Sequence, residues 1–415
     1  MNNIQQISQT LHGYYKVGVV DPATNDVEWK FSGSNIILNA GMDNLYSLSI
    51  ADQLDYGICG TGTRPTNLFS GGSQITQSGN TVSLYNTGGL ITDFTSSYNV
   101  YPNLVQVGDM ISCSNGQQLV VSSVNNGFNL TVTPSYTFGP QTFAVYKTSQ
   151  IGLQNESYRA GPGISNSQYF VGAGACGTTF SASVVSMFRT YDFAPLVTTQ
   201  TFNEVGVGWT STGVQNVFSR LLLPSPVTVT AGFKLRLAYT LTTTFGPTGS
   251  IFGAASIGGW PVGPSTNTNG TQSVQDLLCS YVDAAGNSQT SVAVLDPYFI
   301  SSGNTAGIFA STNSQSLAPF GSAIDRSVTA VTGPQMSKAS YTNGSYICDK
   351  TGTTTPGALS SNTIYSIGFG INGGGYNAYA SNGQAYCFVF SQPQTLTNTQ
   401  TLSLTFRFAW GRILG

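Results

Sequence analysis

Charged side chains are scarce in this chain. Asp, Glu, Lys and Arg together make up 7% of its 415 residues, against about 25% in an ordinary soluble protein. So low a charge suits a membrane protein, a fibrous protein, or a surface covered by partners. Long apolar runs are missing too. The longest, such as RLLLP and CFVF, are strand-sized, whereas a spanning helix requires about 20 apolar residues. The N-terminal stretch MNNIQQISQTLHGYY is polar and lacks the apolar segment of a signal peptide, which also weighs against an outer-membrane barrel. The expectation is no membrane insertion. With 14 basic and 16 acidic residues there is no basic patch to attract nucleic acid. A net charge of −2 gives little self-repulsion to keep copies apart, so much of the surface is expected to be covered in an assembly.

The lack of histidine is equally restrictive. His12 is the single one, which excludes Ser-His-Asp and Cys-His sites unless His12 is the base, and excludes multi-His metal sites. The GTGTRPT loop at 60–66 looks like a phosphate loop but lacks the G-K-[ST] ending. Glutamates number three, Glu28, Glu156 and Glu204, and no calcium-loop pattern occurs. Asp276, Asp283, Asp296, Asp325 and Asp349 show no spacing that would pair them as the acid and base of a glycan hydrolase. The expectation is therefore no enzyme, no cofactor and no metal. The cysteines, Cys59, Cys113, Cys176, Cys279, Cys348 and Cys387, form no C-x-x-C pair. They read as buried free thiols of a protein folded in the cytosol.

What is abundant points to strands. Hydrophobic residues make up 40% of the chain and aromatics 12%, with 49 glycines. That is enough apolar surface for a large core, in a composition of strands and turns. In KLRLAYTL, Leu235, Leu237, Tyr239 and Leu241 alternate with Lys234, Arg236, Ala238 and Thr240, so one face is expected buried and the other wet. TLSLTFRFAWGRILG alternates likewise and reads as a closing strand. The best helix candidate runs from Ala40 to Asp55. LLLPSPVTVTAG places two prolines at an edge or corner of a sheet. Asn-Gly at 115–116 and Asn-Asn-Gly at 125–127 signal hairpins, so 100–148 reads as a small SH3-like or OB-like barrel inserted into a larger domain.

The fold class expected is all-β: an antiparallel, jelly-roll-like β-sandwich with that barrel insert and at most one or two short helices. Residues 1–99 would begin the sandwich, 149–245 continue it and 394–415 close it. Residues 246–393 form a loop-rich insertion or second β domain, carrying Trp260, Tyr281, Tyr298, Phe299, Tyr365, Tyr376 and Tyr379 as candidate interface or receptor contacts.

A charge cluster dense for this chain lies in the segment from Thr201 to Thr244, with Glu204, Arg220, Lys234 and Arg236. Strand alternation would put Phe202, Glu204, Gly206 and Gly208 on one face. Glu204 is expected to pair with Arg220 or Arg236 on a neighbouring strand and set register, and Glu156 with Arg159 in the same structural role.

NEVGVGW…VFSRLLLPSPVTVTAGFKLRLAYTLT resembles a pattern in tailed-bacteriophage virion structural proteins of the tail-fibre and tail-appendage type. NIILNAGMDNL…CGTGTRPTN looks like their accompanying N-terminal module, and VGDMISCSNGQQLVVSSV is similar to their small β inserts. The resemblance covers residues 14–245 and the last strand, and implies no catalytic residues. It implies a virion component assembled in the host cytoplasm, most simply in a tail fibre, baseplate or appendage. The partners implied are other virion proteins and further copies, a trimer being preferred, with a host-surface glycan as another candidate. A capsid decoration or head-fibre protein is the alternative, and a polysaccharide-degrading tailspike a third reading.

Overall fold

The alternating segment KLRLAYTL becomes the middle of a long strand, and Leu235, Leu237, Tyr239 and Leu241 are all buried. Full burial of a large apolar side chain contributes about 1.5–3 kcal/mol, several times a cross-strand pair, so this face fixes the strand's orientation. The computed structural model describes residues 4–48, 50–97, 103–170, 177–181, 184–213, 215–245, 256–257, 260–261, 279–282, 288–291, 306–311, 329–330, 337–338, 340–353, 363–371, 384–395 and 403–414.

The described residues are predominantly strand. In chain order they form β1 (Ile4–Val20), β2 (Val27–Ser34), β3 (Ile36–Ile37), α1 (Asn39–Asn44), α2 (Ile50–Gln53), β4 (Tyr56–Gly60), β5 (Asn67–Asn86), β6 (Met110–Cys113), β7 (Gln118–Asn126), β8 (Asn129–Tyr146), β9 (Glu156–Ala160), β10 (Gln168–Phe170), β11 (Gly177–Ser181), β12 (Val184–Asp192), β13 (Gln200–Gly208), β14 (Val217–Val229) and β15 (Lys234–Phe245). Then follow β16 (Ser256–Ile257), β17 (Trp260–Pro261), β18 (Cys279–Val282), β19 (Ser288–Ser291), β20 (Ala306–Ser311), β21 (Thr329–Ala330), β22 (Ser337–Lys338), β23 (Ile347–Thr353), β24 (Thr363–Ile371), β25 (Gln384–Thr395) and β26 (Ser403–Arg412).

Two sheets make a sandwich. The first runs β10-β12-β15-β1-β26-β23-β22, with β11 also on β12 and β2 on β1; the second runs β3-β14-β13-β4-β9. Their facing sides share one apolar core, with Tyr15, Val17, Leu237 and Tyr239 from the first and Cys59, Val205, Val207 and Phe218 from the second. One of its buried hydroxyls is bonded across the layers: Tyr15 Oη and Ser219 Oγ lie 2.6 Å apart. Pairing is antiparallel except between β1 and β26, which run parallel from Ile4 to Leu11. Beyond His12 and Gly13, β1 exchanges that partner for β2.

The second body is the sheet β5-β8-β6-β7, in which β7 and β8 also pair. It encloses its own core, including Ile75, Val82, Ile111, Leu119, Leu130 and Val145. The insert therefore begins at Asn67 rather than near residue 100. β5 is polar and glycine-rich, and its pairing with β8 shifts register three times, so no clean period-two signal survives in its sequence. The expected helix from Ala40 to Asp55 is likewise split into α1 and α2, and α1 has no side-chain cap at its start. Gly41, and Ser47 and Ser49 in the stretch between the two helices, are poor helix formers.

The later region contributes to more than one sheet. β22 and β23 extend the large sandwich sheet, while β21-β20-β24-β25 form a sheet of their own and β16-β17 and β18-β19 are two-stranded. The turn before β23 clamps α1: Tyr341 Oη and Gly344 N both donate to Asp43 Oδ1 at 2.6 Å. Trp410 of β26 stacks on Tyr341 at 5.7 Å and donates through Nε1 to Met42 O.

Candidate functional site: a buried ion-pair hub where the barrel joins the sandwich

Glu204 sits in β13 opposite Leu222 of β14, and Arg220 stands two residues along, opposite Gly206. The two side chains share the face turned away from the sandwich core. Phe202 does not share it. Its partner is Val227, so Leu223, Pro224, Ser225 and Pro226 bulge opposite Asn203. The bulge reverses the alternation, and Phe202 joins Val205 and Val207 in the core. β14 runs through both prolines without ending.

Both side chains of the pair are fully buried. Arg220 reaches Glu204 Oε2 through Nε at 2.8 Å and Nη2 at 2.7 Å. Its Nη1 donates to Gln150 Oε1 at 2.6 Å and its Nη2 to Arg64 O at 2.7 Å. The carboxylate also accepts three backbone N–H groups: Gly62 at 3.1 Å and Asn155 at 2.8 Å on Oε1, and Gln154 at 3.1 Å on Oε2. A buried charge is tolerated only when paired and fully hydrogen-bonded, and this one is.

The glycine-rich loop thus cradles an anion, and the anion is the chain's own carboxylate. A Cβ on Gly62 would collide with Glu204 Oε1, and one on Gly60 would stand 2.9 Å from the same oxygen. The loop's next amides, Thr63 N and Arg64 N, donate to Gln154 Oε1 at 2.9 and 2.7 Å. The hub therefore ties down both chain crossings between sandwich and barrel, 61–66 going out and 147–155 coming back.

A second buried pair lies at the barrel end of the returning segment. Lys147 Nζ contacts Asp109 Oδ2, both side chains being fully buried, and donates to Leu104 O at 3.1 Å. Asp109 also accepts from Gln106 N at 2.9 Å and Ser149 Oγ at 2.5 Å. Burial pushes the Asp109 carboxyl up and the Lys147 ammonium down, each opposed by the other's charge. Around these pairs, Ile36, Leu38, Ile58, Leu153 and Val217 form an apolar cluster of their own with Tyr146 against it. Asn39 Nδ2 bonds Gly108 O at 2.7 Å, and Arg412 reaches Ile37 O at 2.6 Å and Met110 Sδ at 3.2 Å.

The other sequence candidates fall elsewhere. Arg236 does not join Glu204; it makes a bidentate pair with Asp192, its cross-strand partner, at 2.6 and 2.8 Å. Glu156 and Arg159 pair at 2.6 and 2.9 Å. Asp349 is paired with Arg407, and His12 Nε2 meets Ser34 Oγ at 3.1 Å. Cys59 and Cys113 are buried free thiols, and Cys348 is buried. Trp260, Tyr281 and Tyr365 stand on β17, β18 and β24. Tyr298, Phe299, Tyr376 and Tyr379, like Asp276, Asp283, Asp296 and Asp325, lie outside the described residues. Gln150, Gln154, Asn155, Asp109 and Lys147 carry no motif; the GTG loop was the one sequence signal that an anion is held nearby. Among the described residues no helix is long and apolar enough to cross a membrane, and no group of acidic, His and Cys side chains has the geometry of a metal site.

No family model matches the chain, and neither a curated protein nor a solved structure matches it.

Proposed function

We propose that the protein is a structural component of a bacteriophage virion, tail-associated, working through contacts between subunits. The observation that carries this reading is where charge and apolar surface lie. All three glutamates are in ion pairs with a cation of the same chain, two of them part of the internal scaffold. The barrel, in contrast, exposes Phe69, Tyr85, Leu90, Val107 and Phe128, each more than half accessible. A firmly mounted module with large exposed apolar side chains suits a surface that other chains cover. The sequence resemblance and the low overall charge point the same way. The partners are other virion proteins and further copies, with a trimer the preferred state.

Native mass spectrometry of the isolated protein, with immunogold labelling of purified particles, tests the reading. The expected result is a trimer and label on the tail. Label on the head would move the role to capsid decoration, and absence from particles would remove it.

A further inference from the structure

The outer face of the large sandwich sheet carries a groove that no structural role accounts for. Three cross-strand rows form its floor: Phe188–Thr240–Tyr14, Thr190–Ala238–Lys16 and Asp192–Arg236–Gly18. They lie on the side opposite the buried Leu235, Leu237 and Tyr239 face. In the third row the register continues into β2, where Trp29 pairs with Gly18. The ladder slips by one residue there, leaving Lys30 without a Cα partner on β1. The indole lies over Gly18, where a Cβ would stand 3.0 Å from Trp29 Cε3. Glycine at 18 is what lets the ring lie across the sheet. Asn25, held in the left-handed region at φ 63°, completes the rim. The groove is open on one side, with a volume of about 390 Å³, within the range of small-ligand pockets.

The chemistry of the lining is specific. Trp29 is 46% exposed, an unusual position for the largest aromatic side chain unless its face is used. Lys16 Nζ stands 6.0 Å from the indole centroid. Lys16, Arg189 and Arg236 bring three positive charges, and Asp192, buried beneath and paired with Arg236, one negative, so the groove is left net positive. Tyr14, Thr240 and Asn25 add hydroxyl and amide groups. A purely apolar ligand would waste those polar groups, and a bare anion would not need the indole. A sugar ring offers a C–H face for the aromatic and hydroxyls for the polar rim. We propose that this groove binds a saccharide carrying a carboxylate, its ring face against Trp29 and its carboxylate toward Lys16. The proposal deepens the virion reading by naming a surface contact, and either can fail alone.

The test is binding of the full-length protein to an array of sialylated, uronate-bearing and neutral saccharides, followed by calorimetry with the best ligand. Retention of carboxylated saccharides alone is expected. Trp29→Ala and Lys16→Glu, both at exposed positions, should each weaken binding by about tenfold or more. Methyl esterification of the ligand should do the same. No retained carboxylated saccharide, equal binding of neutral ones, or affinity unchanged in both variants would overturn the proposal. A protein found in particles but silent on the array removes the groove and leaves the virion role; the reverse result removes the role and leaves the groove.

Discussion

Among the described residues the sandwich and the barrel each hold one ion pair with both side chains fully buried, but they hold it differently. Arg220 in the sandwich has a planar, permanently charged head that contacts Glu204, Gln150 and Arg64, while three backbone amides close on the carboxylate. Lys147 in the barrel has a compact ammonium with Asp109 and one carbonyl as partners. An arginine cannot shed its charge in a protein, whereas a buried lysine can. The arginine pair thus serves where several segments must be locked together, and the lysine pair where one loop is pinned. Segment 147–155 runs from one to the other.

Glu204→Ala should produce the largest loss, about 3–5 kcal/mol in urea denaturation, because it leaves Arg220 buried and unneutralised. Asp109→Ala should cost less, about 2–3 kcal/mol, because Lys147 can become neutral. The two variants should also differ in pH response. The folded state already lowers the Lys147 pKa from 10.5, and without Asp109 it falls further. Between that lowered value and 10.5 the unfolded chain holds more protons, so the stability of Asp109→Ala should rise as pH is raised from neutrality. Glu204→Ala should show no such recovery; a parallel rise in both would erase the distinction.

Gly62→Ala should cost about 1–2 kcal/mol by pressing a methyl against Glu204, with little effect on the barrel core. The smallest effect concerns Cys113, whose thiol is pushed up by burial to about 11. The native state keeps its proton to higher pH than the unfolded chain, so this contribution to stability is complete below pH 9 and declines toward 11. Native Cys113 should react with iodoacetamide at pH 8.5 about a hundredfold more slowly than in urea.

The sequence carried the fold class where alternation was uninterrupted. β15 and β26 announce themselves because every second residue is large and apolar, and Glu204 and Arg220 stand out in a chain with so few charges. Irregularity hid the rest. β5 loses its period to register shifts, and the Pro224–Pro226 bulge moved Phe202 to the other face. The parallel pairing of β1 with β26 joins opposite ends of the chain, which no local pattern encodes. Asp109 and Lys147 meet through the closure of the barrel, and Gln154 and Asn155 enter the hub through backbone amides that any residue possesses.

Hydrogen exchange of Glu204→Gln against wild type, read by mass spectrometry, tests most directly whether the carboxylate fastens the two crossings. Its shape is kept and its charge removed. Peptides spanning 61–66 and 150–156 should exchange at least about tenfold faster, while β5 to β8 keep their protection. Unchanged exchange in both crossings, or loss of protection throughout the barrel, would contradict the account.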